Sequence, residues 1–341
     1  MSTIKKEAEI IHIDVNKSVP IYRQIVESIQ QAIANGMLAE DDPLPSVNAT
    51  AAQFSIARGS IFKAYNELRS AGTIDSIPGK GYFVINTRES RKKNIFLLMS
   101  TYNPYREVFY NAFISTLKNK ASVDMYFHHH NIQVFETLIQ NHSSHYNTFV
   151  IMPEIHKKTE EILKKLDQRN LFILDTGLTE FGKNGAGVCQ NYRKDIYGFL
   201  ETVKDRLAMY KRIVLLFSSN MRNYDVIKGF KAFFRTHQQF ESKVYRKTDT
   251  FVPALGDLCI IMDDNDLVRI ILHSKEKGWG LGKDLGIISY NETPFKSVIG
   301  DGVSTISPDF EQMGITMAKL VLNNQRALVE NPFLMLDRKS F

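Results

Sequence analysis

The chain has 341 residues, of which 43% are hydrophobic, 11% aromatic and 23% charged, an ordinary globular composition that excludes a fibrous or largely disordered protein. At roughly 150 residues per domain, two or three units are expected, and a net charge of +6 is too mild to indicate a partner by itself. Cys189 and Cys259 are too few for a disulfide framework or a zinc-finger array, the opening stretch has no apolar signal core, and no apolar run reaches the ~18 residues of a membrane span, so a soluble cytoplasmic protein without a membrane partner is expected.

Residues 1–87 are organised differently from the rest. Ile21, Ile25, Ile29 and Ile33 recur at every fourth position, with Tyr22, Val26 and Ala32 widening the stripe, which is one face of a helix over 20–35. Pro20 suits its first turn and Asn35-Gly36 stops it. Ser46 caps a second, short helix in which Ala51, Ala52 and Phe54 face a core. A tight turn over 54–58 feeds a third helix that Gly72 ends, with Ile61, Tyr65 and Leu68 buried and Arg58, Ser60, Lys63 and Asn66 on other faces. Strands at 74–77 and 82–85 are joined by Pro78-Gly79-Lys80-Gly81. Two helices at a sharp angle followed by a hairpin make a winged helix-turn-helix.

The chemistry of such a unit is duplex recognition. A helix fits the major groove and presents its N-terminal residues to base edges, where Arg58 stands ready for a guanine or a phosphate. The wing glycines allow close backbone approach and Lys80 adds charge. Each charge alone equally describes a solvated face; their ordered combination is specific. The DNA-binding set is Ser46, Asn48, Arg58, Ser60, Lys63, Gly79, Lys80 and Gly81.

The stretches VPIYRQI at 19–25, LPS at 44–46, ARGSIFKAYNEL at 57–68 and GKGYFV at 79–84 resemble the GntR family DNA-binding domain, in order and over about residues 19–85. The resemblance implies a homodimer on a palindromic operator, with the third helix in the major groove and the wing in the minor groove. The family often carries Arg at the position of Asn48, and Ser and Thr near Ala57 and Gly59.

From residue 95 onward short apolar runs alternate with longer amphipathic segments. The runs are IFLLM at 95–99, TFVIM at 148–152, LFIL at 171–174, IVLLF at 213–217, LCIIM at 258–262 and LGIIS at 285–289. Such runs suit parallel strands buried on both faces. Segments 106–119, 158–168, 192–209, 223–235 and 265–277 suit crossover helices. The alternation implies a doubly wound α/β body, with residues 88–94 as a polar linker and 95–341 as the second domain.

Loops after parallel strands gather at their carboxyl ends and line a ligand site. Those loops are rich in hydroxyls, amides and carboxylates, with aromatics near the first, a composition suited to a neutral polyhydroxylated molecule. The effector-binding set is Thr101, Tyr102, Tyr105, Phe109, Glu154, Asp175, Gln190, Asn220, Asp263 and Asn291. Several of these groups equally suit the capping of a following helix.

The body resembles the LacI-type effector domain, a two-lobed periplasmic-binding-protein-like fold. The resemblance rests on DDNDLVRI at 263–270, KDLGIISYNETP at 283–294 and VSTISPDFEQMG at 303–314, with STYNPY at 100–105 as a first cleft loop. Gln190-Asn191-Tyr192 stands at the family's Asp-Asn place, Val226 where a sugar-contacting Arg is usual, Asn291 where a ligand Asp is usual, and Asp263 where an Asn is common. These changes lower the charge expected in the cleft and disfavour an anionic effector. A GntR reader on a LacI-type sensor resembles the arabinose-repressor class, which suggests a monosaccharide such as a pentose or deoxyhexose.

Other signals are discounted. His128, His129 and His130 would alternate faces in a strand and have no nearby ligand-spaced carboxylate or cysteine, so no metal is expected. Cys189 and Cys259 read as small core groups. The glycines at 278–282 precede a strand, those at 182–187 lack a phosphate-loop ending, and no nucleophile elbow occurs, so neither an enzyme nor a cofactor is expected. The expected function is a DNA-binding transcriptional regulator, a repressor in type, controlled by a small neutral sugar. The alternatives are a sugar-acting α/β enzyme with an N-terminal interaction module, and a solute-binding protein.

Overall fold

The computed structural model describes residues 10–14, 19–34, 37–85, 93–142, 146–176, 185–218 and 223–341. The chain divides into two compact units: Met1–Phe96 with Asn119–Asp124 and Asn141–Thr148, and Leu97–Lys118 with Met125–Gln140 and Phe149–Phe341.

The N-terminal elements are α1 (Ile21–Ala34), α2 (Val47–Phe54), α3 (Arg58–Ser70), β1 (Ile74–Ile77) and β2 (Gly81–Val84). Ile25, Ile29, Ile61, Ala64, Tyr65 and Leu68 are fully buried and hold α1 to α3. The Ser46 hydroxyl caps α2 by accepting from the Ala49 N–H at 3.0 Å, and the Tyr65 phenol donates to the Pro45 carbonyl at 2.7 Å. Ser55, at φ 53°, ends α2 and turns the chain toward α3. β1 and β2 pair antiparallel, Ile74 opposite Val84 and Ile77 opposite Gly81. A further segment ties down α1: His12 exchanges two hydrogen bonds with the Ser28 hydroxyl, each 3.1 Å, and Asp14 exchanges two with the Gln24 amide.

The body runs β3 (Lys93–Met99), α4 (Pro104–Leu117), β4 (Ala121–Phe127), α5 (Ile132–His142), β5 (Thr148–Ile151), α6 (Thr159–Leu163), β6 (Leu171–Asp175) and β7 (Gly187–Cys189). It continues through α7 (Tyr192–Thr202), α8 (Lys204–Leu207), β8 (Arg212–Leu216), α9 (Asp225–Thr236), β9 (Ser242–Tyr245), β10 (Asp257–Ile261), α10 (Asp264–Lys277), β11 (Gly286–Tyr290), β12 (Ser304–Pro308), α11 (Phe310–Leu322), β13 (Leu328–Glu330) and β14 (Phe333–Leu336). Two six-stranded sheets form two lobes, in the orders β13-β7-β6-β5-β3-β4 and β14-β12-β11-β10-β8-β9. The fold is α/β and doubly wound, as its apolar runs require: β5, β6, β10 and β11 are buried along their whole length. The chain passes between lobes after β7, after β12 and after β13.

Three expectations need correction. The helix expected over 158–168 is only Thr159–Leu163, and that over 192–209 breaks at Val203 into α7 and α8. Lys93 and Asn94, expected in a linker, open β3; residues 86–92 lie outside those described. His128 to His130 follow β4 in a turn, with His129 and His130 at φ 49° and 57°, so they do not alternate along a strand.

Candidate functional site

Both sheets present the carboxyl ends of their strands to one cavity of about 290 Å³ within the second unit. The first lobe supplies most of its polar wall: Ser100, Arg106, His130, Glu154, Asp175 and Thr176. The second supplies Phe217, Val226, Met262, Tyr290 and the amides Asn223 and Asn291. Tyr105 and Phe310 face each other at 4.9 Å between ring centres and close one side.

Arg106 organises the polar wall. Asn103 caps α4 by accepting from the Arg106 N–H at 3.1 Å, which puts this side chain on the first helical turn, next to the end of β3. Its Nη1 donates to the Thr101 carbonyl at 3.0 Å, to Thr101 Oγ1 at 3.2 Å and to the Ser100 hydroxyl. Its Nη2 lies 3.9 Å from Asp175 Oδ2, and its Nε is buried without a hydrogen-bond partner. Asp175 is buried at φ 69° and accepts from the Tyr192 phenol. Burial holds its carboxyl above the usual range, while Arg106 and the Tyr192 bond pull it down. The Tyr290 phenol and the Thr176 hydroxyl are buried without partners. Buried polar groups left open on a cavity wall are where a polar ligand completes the hydrogen bonding.

Glu154 is the second carboxylate of the wall. Its Oε2 lies 3.2 Å from His130 Nδ1 and 3.6 Å from His128 Nδ1. Burial pushes His128 down to about 4, so it is neutral at physiological pH. Glu154 stands 24 positions from His130 in sequence, outside any local ligand spacing, and the end of β5 brings it to these histidines. Among the described residues no group of three or more His, Cys, Asp or Glu is arranged to hold a metal.

Of the ten residues expected to contact an effector, Tyr105, Glu154, Asp175 and Asn291 line the cavity. Thr101 stands behind the wall as an acceptor for Arg106, and Tyr102 is exposed with its ring edge on Phe127. Phe109 is in the core, stacked on Phe113 at 5.6 Å. Asp263 caps α10, accepting from the Asn265 N–H at 2.9 Å. Gln190 is buried in a crossover segment against Asn331 of another, and Asn220 lies outside the described residues. The expectation of low charge in the cleft is also corrected: Arg106 brings a full cation into it. Tyr192 and Tyr290 belong to stretches singled out in the sequence but stand outside the expected set, and Arg106 and Met262 were missed. The signal for Arg106 was its place one residue after Tyr105, where a helix starts directly behind a strand.

On the N-terminal unit, Ser46, Asn48 and Arg58 are exposed and Ser60 is half-buried. Lys63 is exposed, with its ammonium 3.9 Å above the Tyr22 ring. Gly79, Lys80 and Gly81 form the exposed wing tip; Gly79 and Gly81 sit at φ 79° and 101°, which a side chain would strain. Phe62, not singled out from the sequence, is 47% exposed on α3, one turn after Arg58.

The fold and these two surfaces define the class of architecture: a winged helix-turn-helix in one chain with a two-lobed, doubly wound α/β body that holds a cavity between its sheets. Residues 21–84 match the family described as bacterial regulatory proteins, gntR family. The transcriptional repressor NagR of Bacillus subtilis is 38% identical over 74 residues, 22% of this chain and 30% of that protein. The repressor YtrA of the same organism is 34% identical over 74 residues, covering 22% and 57%. In both, the match spans less than two thirds of the relative.

The body has its own likenesses. The trehalose repressor of Escherichia coli superimposes with a TM-score of 0.59 at 12% identity, covering 72% of this chain and 100% of that one. A LacI family regulator of Enterococcus faecium, solved with bound ribose, gives 0.58 at 18% identity, covering 73% and 98%. At these identities the likeness establishes the fold. The matching relatives are transcriptional regulators, not enzymes. No described helix is long and apolar enough to cross a membrane.

Proposed function

We propose that this protein is a transcriptional repressor whose grip on operator DNA is set by a neutral monosaccharide in the inter-lobe cavity. The observation that carries the reading is the pairing, in one chain, of a gntR-family match over 21–84 with a two-lobed body whose cavity keeps open polar groups. Residues 1–87 act as the reading head and the body that opens with β3 as the sensor. α3 enters the major groove with Arg58 and Phe62 toward base edges, while Ser46, Asn48, Ser60 and Lys63 contact the duplex beside it. The Gly79-Lys80-Gly81 tip follows the backbone into the minor groove.

Two arguments favour a neutral sugar. The Arg106 guanidinium already faces the Asp175 carboxylate, and Glu154 lies against the His130 ring, so the wall offers polar partners to a neutral ligand and no lone cation to an anionic one. Its tyrosines and Phe310 offer rings for the apolar face of a pyranose or furanose. One solved neighbour of the same fold holds ribose and another D-xylulofuranose.

The chain works as a homodimer, which matches a palindromic site. Val268 and Leu272, one turn apart on α10, and Phe295 and Val298 after β11 are exposed apolar residues of the second lobe available to a second copy. The reading is tested by selecting genomic fragments on the purified chain and repeating the selection with D-ribose, D-xylulose, L-arabinose, L-fucose and L-rhamnose. A palindromic fragment released by one sugar is the expected result. No duplex retained at low salt, or retention indifferent to every sugar, overturns it.

A further inference from the structure

Gln190 sits at the centre of a hydrogen-bond network that joins the cavity to the segments connecting the two lobes. Residues 190–191 cross after β7, Asp309 crosses after β12, and residues 331–332 cross after β13. Gln190 and Asn331 are both buried where the first and last of these segments run side by side. Asn331 Nδ2 donates to Gln190 Oε1 at 2.9 Å, and the Asn331 N–H donates to the Cys189 carbonyl at 2.9 Å. Gln190 Nε2 donates in turn to Asp195 Oδ2, on the first turn of α7, at 2.6 Å. The remaining crossover is held by the Asp309 N–H, which donates to the Pro332 carbonyl at 2.9 Å.

The same residue reaches the cavity wall. The Gln190 N–H donates to the Asp175 carbonyl at 2.7 Å, and Tyr192, two residues on, donates its phenol to the Asp175 carboxylate. The first of these bonds continues the β6–β7 ladder inside the first lobe, whereas Tyr192 opens the first helix of the second, so a rotation of the lobes must disturb the phenol–carboxylate bond.

We propose that Gln190, Asp195 and Asn331 are positioning residues that lock the crossover segments, keep Asp175 and Tyr192 engaged across the effector cavity, and loosen when Asp195 takes up a proton. The proposal rests on the effector reading of the cavity and adds to it a control by protons. An ionised acceptor makes a hydrogen bond roughly twice as strong as a neutral one, so a proton on Asp195 weakens the link to Gln190.

The surroundings bring that proton within reach. Burial pushes Asp195 up to about 6; the Gln190 bond lowers it, Glu330 across the crossover raises it, and Lys194 on the same helix lowers it. Glu330 is engaged by Lys194 Nζ at 2.5 Å and by Asn191 Nδ2 at 3.5 Å, and the Tyr290 phenol from β11 also feels the Asp195 charge. His128, the buried histidine of the first lobe, titrates lower, at about 4.

The lock is tested without any effector, by energy transfer between dyes on Lys164→Cys in the first lobe and Lys247→Cys in the second. Both native cysteines are buried and take no label. The full chain is expected to change its transfer efficiency between about pH 8 and about pH 5, with a midpoint near 6. Asp195→Asn is expected to be flat over that range, and Gln190→Ala or Asn331→Ala to give the acid value throughout; either one suffices if the other fails to fold. A flat response in the parent, or a transition that survives in Asp195→Asn, overturns the lock. Failure of the effector reading looks different: the acid transition remains, but none of D-ribose, D-xylulose, L-arabinose, L-fucose or L-rhamnose alters the efficiency at neutral pH.

Discussion

Arg106 Nη2 and Asp175 Oδ2 face each other across 3.9 Å inside the cavity. The gap is too wide for a direct hydrogen bond, yet one hydroxyl oxygen placed ~2.8 Å from each group bonds to both. That oxygen accepts from the guanidinium and donates to the carboxylate, which a sugar hydroxyl does and a carboxylate ligand does not. Arg106→Met removes the donor and leaves Asp175 buried without its cation. Sugar binding is expected to weaken by about 10- to 100-fold, the equivalent of one charge-assisted hydrogen bond. Operator affinity of the sugar-free protein is expected to stay within twofold of the parent, by order of magnitude. Calorimetric titration and duplex binding on the same preparation separate the two.

Phe62 and Arg58 are one turn apart on the exposed face of α3. An exposed phenylalanine costs a lone domain solubility, and its place beside Arg58 suits an apolar contact to a thymine methyl. Phe62→Ala is expected to weaken operator binding by an amount within the ~1–3 kcal/mol of a good base contact. Replacing operator thymines by uracil is expected to weaken the parent and leave Phe62→Ala unmoved at one position. Arg58→Ala is expected to lose more, with the sugar response of the body intact. Equal sensitivity of parent and Phe62→Ala to every uracil removes the residue from base reading.

The strands buried on both faces were legible because continuous apolar runs such as 213–217 and 258–262 have the length of a strand and fall short of a helix. β4 was not: Ala121–Phe127 mixes Ser122 and Asp124 with apolar residues and is only half-buried at the edge of its sheet. β7, β13 and β14 are three or four residues long, and pairing partners distant in sequence decide them; Glu330, for instance, pairs with Cys189. In the cavity, loop position found Asp175 and Asn291, whose left-handed backbone turns them at the ends of β6 and β11. It failed for Phe109 and Asp263, since helix phase and capping decide which way a residue near a strand end points. The role of Gln190 depends on Asn331, a residue 141 positions away, and no local pattern carries that.

Gly229 marks a close approach of α9 to α7. A Cβ there would stand 2.3 Å from the Arg193 carbonyl oxygen and 2.3 Å from Ile196 Cγ2. The carbonyl is backbone of a packed helix and cannot turn aside. Gly229→Ala is expected to destabilise the second lobe by about 1–3 kcal/mol, the usual cost of overpacking, despite the gain in helix propensity. Gly198→Ala on α7 is the control, since a Cβ there meets nothing within 4 Å, and it is expected to be neutral or stabilising. Urea unfolding followed by far-ultraviolet circular dichroism reads both; equal midpoints for the two variants would show that the helices separate freely.

Asp195 also leaves a signature in stability. Its carboxyl titrates near 3.8 in a model peptide and at about 6 in the folded chain, so between those values the native state keeps a proton that the unfolded state has released. Stability therefore falls as pH rises through this window, and the whole penalty is present above pH 6. Asp195→Asn is expected to be more stable than the parent at neutral pH by about 1–2 kcal/mol, allowing for solvent screening of a half-buried carboxylate, and equal to it below both titration points. His128 works in the opposite sense: burial lowers it from 6.5 to about 4, so its contribution is complete above the upper value and is lost as pH falls through the lower. The two slopes mask one another in the parent alone. They separate in the difference between parent and Asp195→Asn, because the His128 contribution is common to both. If that difference is constant from acid to neutral pH, Asp195 does not titrate in this range, and the proton control of the crossover segments falls with it.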